Sequence, residues 1–209
     1  MVDSEIIAAR VFPAVWAGMG VSMSEEFFLC NFVGTGPDAE IVKSTLALLP
    51  PNAMKIADDK FDEELKVSLT AVHGMQDLVS KLTCQICVAS NSSPEYLKMA
   101  LQKTELSTFF GDRVYSARTL KNAKPAPDVF LHAAKSLGFE PSECLVIEDS
   151  PSGIRAAQNA KMKVIAFTGG LHCNKEVVRK LLNYAADTYC NTVENLDAEI
   201  TKFLSTTVA

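Results

Sequence analysis

The stretch that decides the fold is Cys144-Leu-Val-Ile-Glu148-Asp149-Ser-Pro-Ser-Gly153. The residues before the acids are apolar and partly β-branched, which predicts a short buried strand, and the Ser-Pro step after them predicts the start of a helix. Two adjacent acids directly behind a buried strand are costly unless a cation compensates their charge. Metal binding is therefore the favoured interpretation, and capping of the following helix by Asp149 is the alternative.

Similar apolar runs alternate with helical patterns on both sides of this stretch. The predicted strands cover residues 84–89, 113–116, 144–148, 163–167 and 187–190. The predicted helices cover residues 74–82, 94–103, 127–138, 151–160, 174–185 and 193–204. Short buried strands that alternate with helices are typical of an α/β fold with a doubly wound, Rossmann-like, mostly parallel sheet.

The first third of the chain has a different pattern. Apolar residues recur at three-and-four spacing over residues 25–30 and 39–49, and Gly34-Thr-Gly-Pro37 and Pro50-Pro-Asn52 separate these segments. This spacing predicts helices, and no strand pattern is convincing before residue 71. The chain is therefore predicted to be a helical bundle attached to an α/β layer.

Composition excludes several classes of protein. The 209 residues carry a net charge of −5 without a basic block, so nucleic acid is not an expected partner. No apolar run is long enough to cross a membrane, and no secretory leader is evident. We expect a cytoplasmic protein without a membrane partner, and a monomer, because nothing in the sequence indicates an oligomer.

Polar residues follow the predicted strands where each strand ends. Ser90 and Asn91 follow the first strand, Lys124 precedes Pro125 in the loop after the second, and Glu148 and Asp149 end the third. Ligands of such sheets bind beyond the carboxyl ends of the strands. Donors and an ammonium suit phosphate, and paired carboxylates suit Mg²⁺. Ser90-Asn91-Ser92 could instead be helix capping, although Ser93 is the expected cap, which leaves Ser90 free at the strand end. Lys124 could be a solvated surface lysine.

The remaining reactive side chains are assigned no role. Cys84 and Cys87 have the spacing of a zinc or redox pair, but on a strand they would point to opposite faces, which favours core packing. The three histidines are isolated from one another and from acids at ligand spacing. Asp3 is expected to cap the first helix, with Glu5 in its first turn.

Three of these segments, in this order, resemble the second, third and fourth motifs of haloacid dehalogenase-type phosphatases. They are Ile86-Cys-Val-Ala-Ser90-Asn-Ser, Lys124-Pro-Ala-Pro-Asp128 and Leu145-Val-Ile-Glu148-Asp149-Ser-Pro-Ser-Gly153-Ile-Arg-Ala-Ala157. They are most similar to the branch that contains β-phosphoglucomutase and sugar-phosphate phosphatases. The resemblance implies an α/β core of residues 1–8 and 72–209 and an inserted helical cap of residues 9–71, whose Gly34-Thr-Gly36 loop would face the site.

The resemblance also implies a role for each strand-end residue. Ser90 and Asn91 would bind the phosphoryl oxygens, and Lys124 would neutralise charge on the phosphate and the nucleophile. Asp149 and Glu148 would hold Mg²⁺. The implied activity is Mg²⁺-dependent hydrolysis of a small phosphorylated metabolite, such as a sugar phosphate, with Ser90 and Lys124 in the catalytic set; a phosphomutase fits less well.

One motif of the family is missing from the sequence. The family's first motif, D-x-D-G, carries its nucleophile and its general acid, and this chain begins at Met1-Val-Asp3-Ser-Glu5, after that point. The central strand expected between the strands ending at Ser90 and Glu148 would be missing too. We therefore expect impaired catalysis. The alternatives are a non-catalytic truncated isoform or pseudoenzyme that binds a phosphate ligand or a protein partner, and a misassigned start of the chain.

Overall fold

The computed structural model describes residues 1–35 and 39–207. Its helices are α1 (Ser4–Ala17), α2 (Glu25–Asn31), α3 (Glu40–Leu46), α4 (Ala53–Ser68), α5 (Met75–Lys81), α6 (Pro94–Lys103), α7 (Ser107–Phe110), α8 (Asp128–Leu137), α9 (Pro151–Asn159), α10 (Lys175–Leu182) and α11 (Val193–Thr207). Its strands are β1 (Val88–Ser90), β2 (Val114–Ser116), β3 (Leu145–Glu148), β4 (Lys163–Phe167) and β5 (Thr188–Cys190). Two short 3₁₀ turns cover Ala117–Thr119 and Pro141–Glu143.

All the strand pairs in the described residues are parallel, which confirms the predicted α/β class. Strand β1 pairs with β2, and β3, β4 and β5 form a separate sheet in that order. The register aligns Ser90 with Ser116 and Glu148 with Ala166, so β1 and β2 end in serines and β3 ends in an acid. No ladder joins β1 to β3 within the described residues. That a central strand is missing between them stays a prediction.

The first strand is shorter than predicted. It begins at Val88 rather than at residue 84. The N–H of Val88 is the first that bonds to the segment leading into β2, at Arg113 O (3.0 Å). Before it, the Ile86 carbonyl accepts a bond from Arg113 Nε (2.9 Å), so a side chain satisfies a group that a strand would have paired. Cys84 and Cys87 precede the strand, so the argument from opposite strand faces was wrong. Both are free thiols, and burial raises the pKa of Cys87 to about 11.

Two serine-capped helices begin next to the strand ends. Ser93 Oγ accepts from Tyr96 N (3.2 Å) at the start of α6, and Ser150 Oγ accepts from Gly153 N (3.1 Å) at the start of α9. A proline occupies the first turn of each helix, where its missing N–H costs nothing. The positive ends of both helices therefore face the polar residues at the carboxyl ends of β1 and β3.

The helical region is built around aromatic side chains. Helix α1 packs against α2 and α4, and Trp16 lies 5.5 Å from Phe12, 5.9 Å from Phe28 and 5.6 Å from Phe32 between ring centroids. These rings belong to the same buried cluster as α8, α9 and β4 side chains. The helical region and the sheet thus share one core, and the division into a cap and a core domain stays a prediction.

Helix length bears on a membrane location. The longest described helix, α4, has 16 residues, whereas a membrane span needs about 20 apolar ones. Within residues 1–35 and 39–207, no helix combines the length and the apolar character that crossing a bilayer requires.

Candidate active site

The structure brings Lys124 and Glu148 together between the ends of β1 and β3. Lys124 Nζ forms an ion pair with Glu148 Oε1 and donates to the carbonyl of Ala89 (2.9 Å), the residue before Ser90. Both side chains are almost buried, at 7% and 10% exposure. A buried pair of this kind is held because removing either partner would leave an uncompensated charge. Lys124 is therefore not a solvated surface lysine.

Asn91 fixes the backbone on which Lys124 sits. Its Oδ1 accepts from Lys124 N (2.9 Å), and its Nδ2 donates to Lys124 O (3.4 Å). Asn159 Nδ2 donates to the next carbonyl, Pro125 O (2.9 Å), and the Phe130 ring lies 4.5 Å from Lys124 Nζ. These bonds fix the loop backbone, and the ring lies beside the ammonium. The direct contact of Asn91 with phosphate stays a prediction.

Ser90 occupies the end of β1, beside the Lys124 contact. Its Oγ accepts from Ser92 N (3.2 Å), and the capping of α6 is done by Ser93, as predicted. A hydroxyl that accepts one bond still has its own proton to donate. Ser90 can thus donate to an anion at the strand end, next to the first turn of α6.

Glu148 and Asp149 face different neighbours. Glu148 turns to Lys124 and accepts from Ser150 Oγ (2.9 Å), whereas Asp149 is 34% exposed and its Oδ2 lies 3.9 Å from His172 Nε2. Successive residues at a strand end point to opposite sides. The two acids that the sequence analysis treated as one set therefore have different partners in this structure.

His172 is a neighbour of the site that the sequence analysis passed over. It is 2% exposed, its Nε2 lies 3.4 Å from Cys173 Sγ, and its Nδ1 has no hydrogen-bond partner in the described part of the chain. The partly buried Glu5 is close enough to Asp149 for the charges to interact, and burial first, then the charge of Asp149, raises the pKa of Glu5. No sequence spacing could reveal this, because Glu5, Asp149 and His172 come from three distant segments.

Asp3 does not cap the first helix as predicted. It precedes α1, but its side chain makes no bond to that helix; instead, its Oδ1 accepts from Leu171 N (2.8 Å). The cause is local, since the Asp3 backbone is tied to Thr70 O (3.0 Å) and does not adopt the extended conformation usual for a cap. The carboxylate therefore fastens the first residues of the chain to the loop after β4.

The donor set fits Mg²⁺ only in part. No group of three or more His, Cys, Asp or Glu side chains is arranged around a possible metal position within the described ranges. Mg²⁺ needs only one or two protein carboxylates, and it keeps several waters. The half-exposed Asp149 meets that requirement, whereas Glu148 can contribute an oxygen only where Lys124 leaves one unpaired.

One loop of the helical region reaches the site. A side chain placed at Gly34 would lie 3.2 Å from both Ser150 Cβ and Pro151 Cδ, at the start of α9, and the positive φ of Gly34 (68°) favours glycine there. Gly36 and Pro37, which the sequence analysis placed in the same loop, lie outside the described residues. The observed contact brings Gly34 next to the serine that holds Glu148.

Known proteins share both sequence and fold with this chain. The family model for haloacid dehalogenase-like hydrolases matches residues 1–167. The chain belongs to this family. A haloacid dehalogenase-like protein of unknown function from Agrobacterium tumefaciens is 33% identical in a solved structure, with a TM-score of 0.88, over 98% of this chain and 94% of that one. That likeness confirms the fold.

The curated relatives include phosphatases of small metabolites. The 6-phosphogluconate phosphatase of Escherichia coli is 25% identical over 85% of this chain and 82% of its own length. Hexitol phosphatase B of the same organism is 29% identical over 79% of this chain and 78% of its own length. Some relatives are far longer, and the chain spans only 16% of one of them. The solved structure described as a putative β-phosphoglucomutase from Thermotoga maritima is 20% identical, with a TM-score of 0.72 over 96% of this chain and 94% of that one, and shares the fold.

Proposed function

We propose that this chain binds the phosphate group of a small phosphorylated metabolite, such as a sugar phosphate, at Ser90, Asn91 and Lys124. The observation that carries the proposal is the buried Lys124 ammonium, fixed between the ends of two parallel strands. A compact, fixed ammonium beside a hydroxyl and a helix start suits a phosphate oxygen. The phosphatase relatives support phosphate monoesters as the substrate class.

The ion pair between Lys124 and Glu148 affects how a phosphate group would bind to Lys124. Lys124 Nζ has three N–H donors, of which the Ala89 carbonyl and Glu148 take two, so a phosphate oxygen would take the third or replace Glu148. Ser90 would donate to a phosphoryl oxygen, and Asn91 would keep the Lys124 loop in place. When bound, Mg²⁺ would neutralise charge on the phosphate, with Asp149 and Glu148 as its protein ligands.

Hydrolysis by this chain would be slow. The 209 residues contain no D-x-D sequence, and a covalent route needs an attacking carboxylate and a proton donor. Loss of such a nucleophile lowers the rate by a factor on the order of 10⁴ or more. Binding without turnover, as in a truncated isoform or pseudoenzyme, is the second candidate function, and the lack of a D-x-D sequence in the 209 residues favours it.

The helical region would select the substrate. We extend the proposal to a cap formed by residues 9–71 over a core of residues 1–8 and 72–209. The contact between Gly34 and the start of α9 supports this, because it places a loop of that region against the residues around Glu148. A metabolite bound at Lys124 would extend toward this loop.

Titration calorimetry with 6-phosphogluconate tests binding separately from turnover. With Mg²⁺ present, we expect Lys124→Ala to weaken binding at least tenfold, since a charge-assisted contact contributes about 1.5–3 kcal/mol, and Lys121→Ala, an exposed lysine of the same loop, to change it little. Asp149→Ala should remove the effect of Mg²⁺ on affinity. Equal losses in the two lysine variants would refute the assignment of Lys124.

Phosphate release from the same compound separates the two candidate functions. We expect little or no Mg²⁺-dependent release by this chain. Release at the rate of an ordinary phosphatase, abolished by Asp149→Ala, would show that the chain has a nucleophile and would rule out impaired catalysis.

A further inference from the structure

Gly153 occupies a position where a side chain has no room. It is the third residue of α9 and is buried, and a Cβ built on it would overlap both carboxylate oxygens of Glu148. Glycine is the poorest helix former after proline, so its presence in the first turn needs a reason. Its backbone has no positive φ to supply one. The reason lies in what fills the space.

The Glu148 carboxylate uses that space to reach Lys124. One carboxylate oxygen accepts from Ser150 Oγ (2.9 Å) and the other pairs with Lys124 Nζ. Ser150 Oγ in turn accepts from the N–H of Gly153 (3.1 Å). The Glu148 carboxylate thus packs against the first turn of α9. The Ser150 hydroxyl lies on one side of it, and the Cα of Gly153, which carries no side chain, lies on the other.

We infer that Gly153 is a positioning residue, which holds the Glu148 carboxylate on Lys124 by leaving it room against the first turn of α9. The inference rests on the proposed function only in treating Lys124 as the phosphate-binding group. Glu148 is the residue that would touch the ligand or the ammonium, and Gly153 acts through it. In this arrangement the glycine leaves the carboxylate in contact with Lys124.

A methyl group at position 153 should move the carboxylate rather than unfold the protein. The atoms that it would overlap are the far end of a flexible side chain, which can turn away by rotating about its own bonds. Alanine is also the better helix former, which favours α9. The Gly153→Ala variant should therefore fold, but with lower stability, because it leaves the buried Lys124 unpaired.

Acylation of Lys124 by acetic anhydride, quantified by peptide mass spectrometry, reports on this pairing. A lysine amine that is held in a buried contact with a carboxylate is shielded from the reagent, so it is labelled slowly. We expect Gly153→Ala to raise the initial labelling rate of Lys124 about threefold or more at neutral pH, with the rates of other lysines unchanged. Gly18→Ala is the matched control, because its Cβ would meet only Val15 O at an ordinary 3.4 Å.

A double-substitution cycle shows whether the effect passes through Glu148. Glu148→Gln alone should raise Lys124 labelling, and adding Gly153→Ala to it should change nothing further. Unchanged labelling in Gly153→Ala would overturn the inference, and so would a full effect of Gly153→Ala in the Glu148→Gln background. Because labelling needs neither substrate nor turnover, a chain that binds no phosphate could still confirm the role of Gly153.

Discussion

Two clusters of side chains in this protein are stabilised by different interactions, one by apolar packing and the other by hydrogen bonds and an ion pair. The aromatic cluster of Phe12, Trp16, Phe28 and Phe32 fills the helical region with rings at 5.1–5.9 Å. The strand-end cluster around Lys124 instead joins charged and polar groups through hydrogen bonds and one buried ion pair. The first cluster gains its stability from apolar burial, which is largely indifferent to direction.

The two clusters differ in how much free energy of folding their contacts contribute. Apolar packing stabilises in proportion to the area removed from water, so the aromatic cluster is expected to dominate the stability of its region. A buried ion pair contributes little net stability, because the cost of desolvation offsets the attraction. The strand-end cluster can therefore exchange Glu148 for another anion without a large loss of folding free energy.

Truncation of Trp16 should have the largest effect on stability. Trp16→Ala removes a ring that contacts three others, and such substitutions lower the free energy of unfolding by about 3–5 kcal/mol. Trp16→Phe should cost clearly less, since it keeps a ring and removes the indole N–H, which has no partner among the described residues. Urea unfolding measures both. Equal losses in the two variants would contradict the view that ring packing stabilises this region.

Asp3 tests how much a single polar contact stabilises the protein outside the aromatic cluster, because its carboxylate bonds to the loop after β4. Asp3→Ala leaves the Leu171 N–H without its acceptor in a partly buried place, which we expect to lower the free energy of unfolding by about 1–3 kcal/mol. Asp3→Asn keeps an oxygen at the same position and should lose less. The same urea titration decides, and an equal loss in both variants would show that the charge, not the acceptor, is what stabilises.

Glu5 should give the smallest effect, visible mainly as a dependence on pH. Burial and the charge of Asp149 raise the pKa of Glu5 in the folded protein above its ordinary value of 4.5, so the folded state binds this proton more tightly. The contribution of the proton is present at low pH and is lost as the pH rises through the folded pKa. Glu5→Gln should thus gain stability relative to the wild type as the pH rises above about 4.5, the ordinary pKa of the group.

Thermal unfolding of Glu5→Gln from below to above that pH measures the difference in midpoint. Glu95→Gln, at an exposed position in the first turn of α6, serves as the control and should show a nearly constant difference. A constant difference for Glu5→Gln as well would contradict the assigned cause.

The sequence predicted the elements better than the contacts between them. Strands β2 to β5 lie within one residue of their predicted ends, because apolar runs and turn residues are local signals. The sequence could not predict which acid contacts Lys124. The structure shows that Glu148 does and that Asp149 lies near His172 instead. The burial of His172 and the target of Asp3 were not predictable, since both depend on segments far apart in the chain.

The contact between Asp3 and Leu171 has a consequence for the order of folding. The two residues are 168 positions apart, so their bond closes a loop that contains most of the chain. Doubling a loop adds only about 0.6 kcal/mol of closure entropy, but contacts of such long range form slowly. We therefore expect the first residues of the chain to bind to the loop after β4 only once the parallel strands have formed.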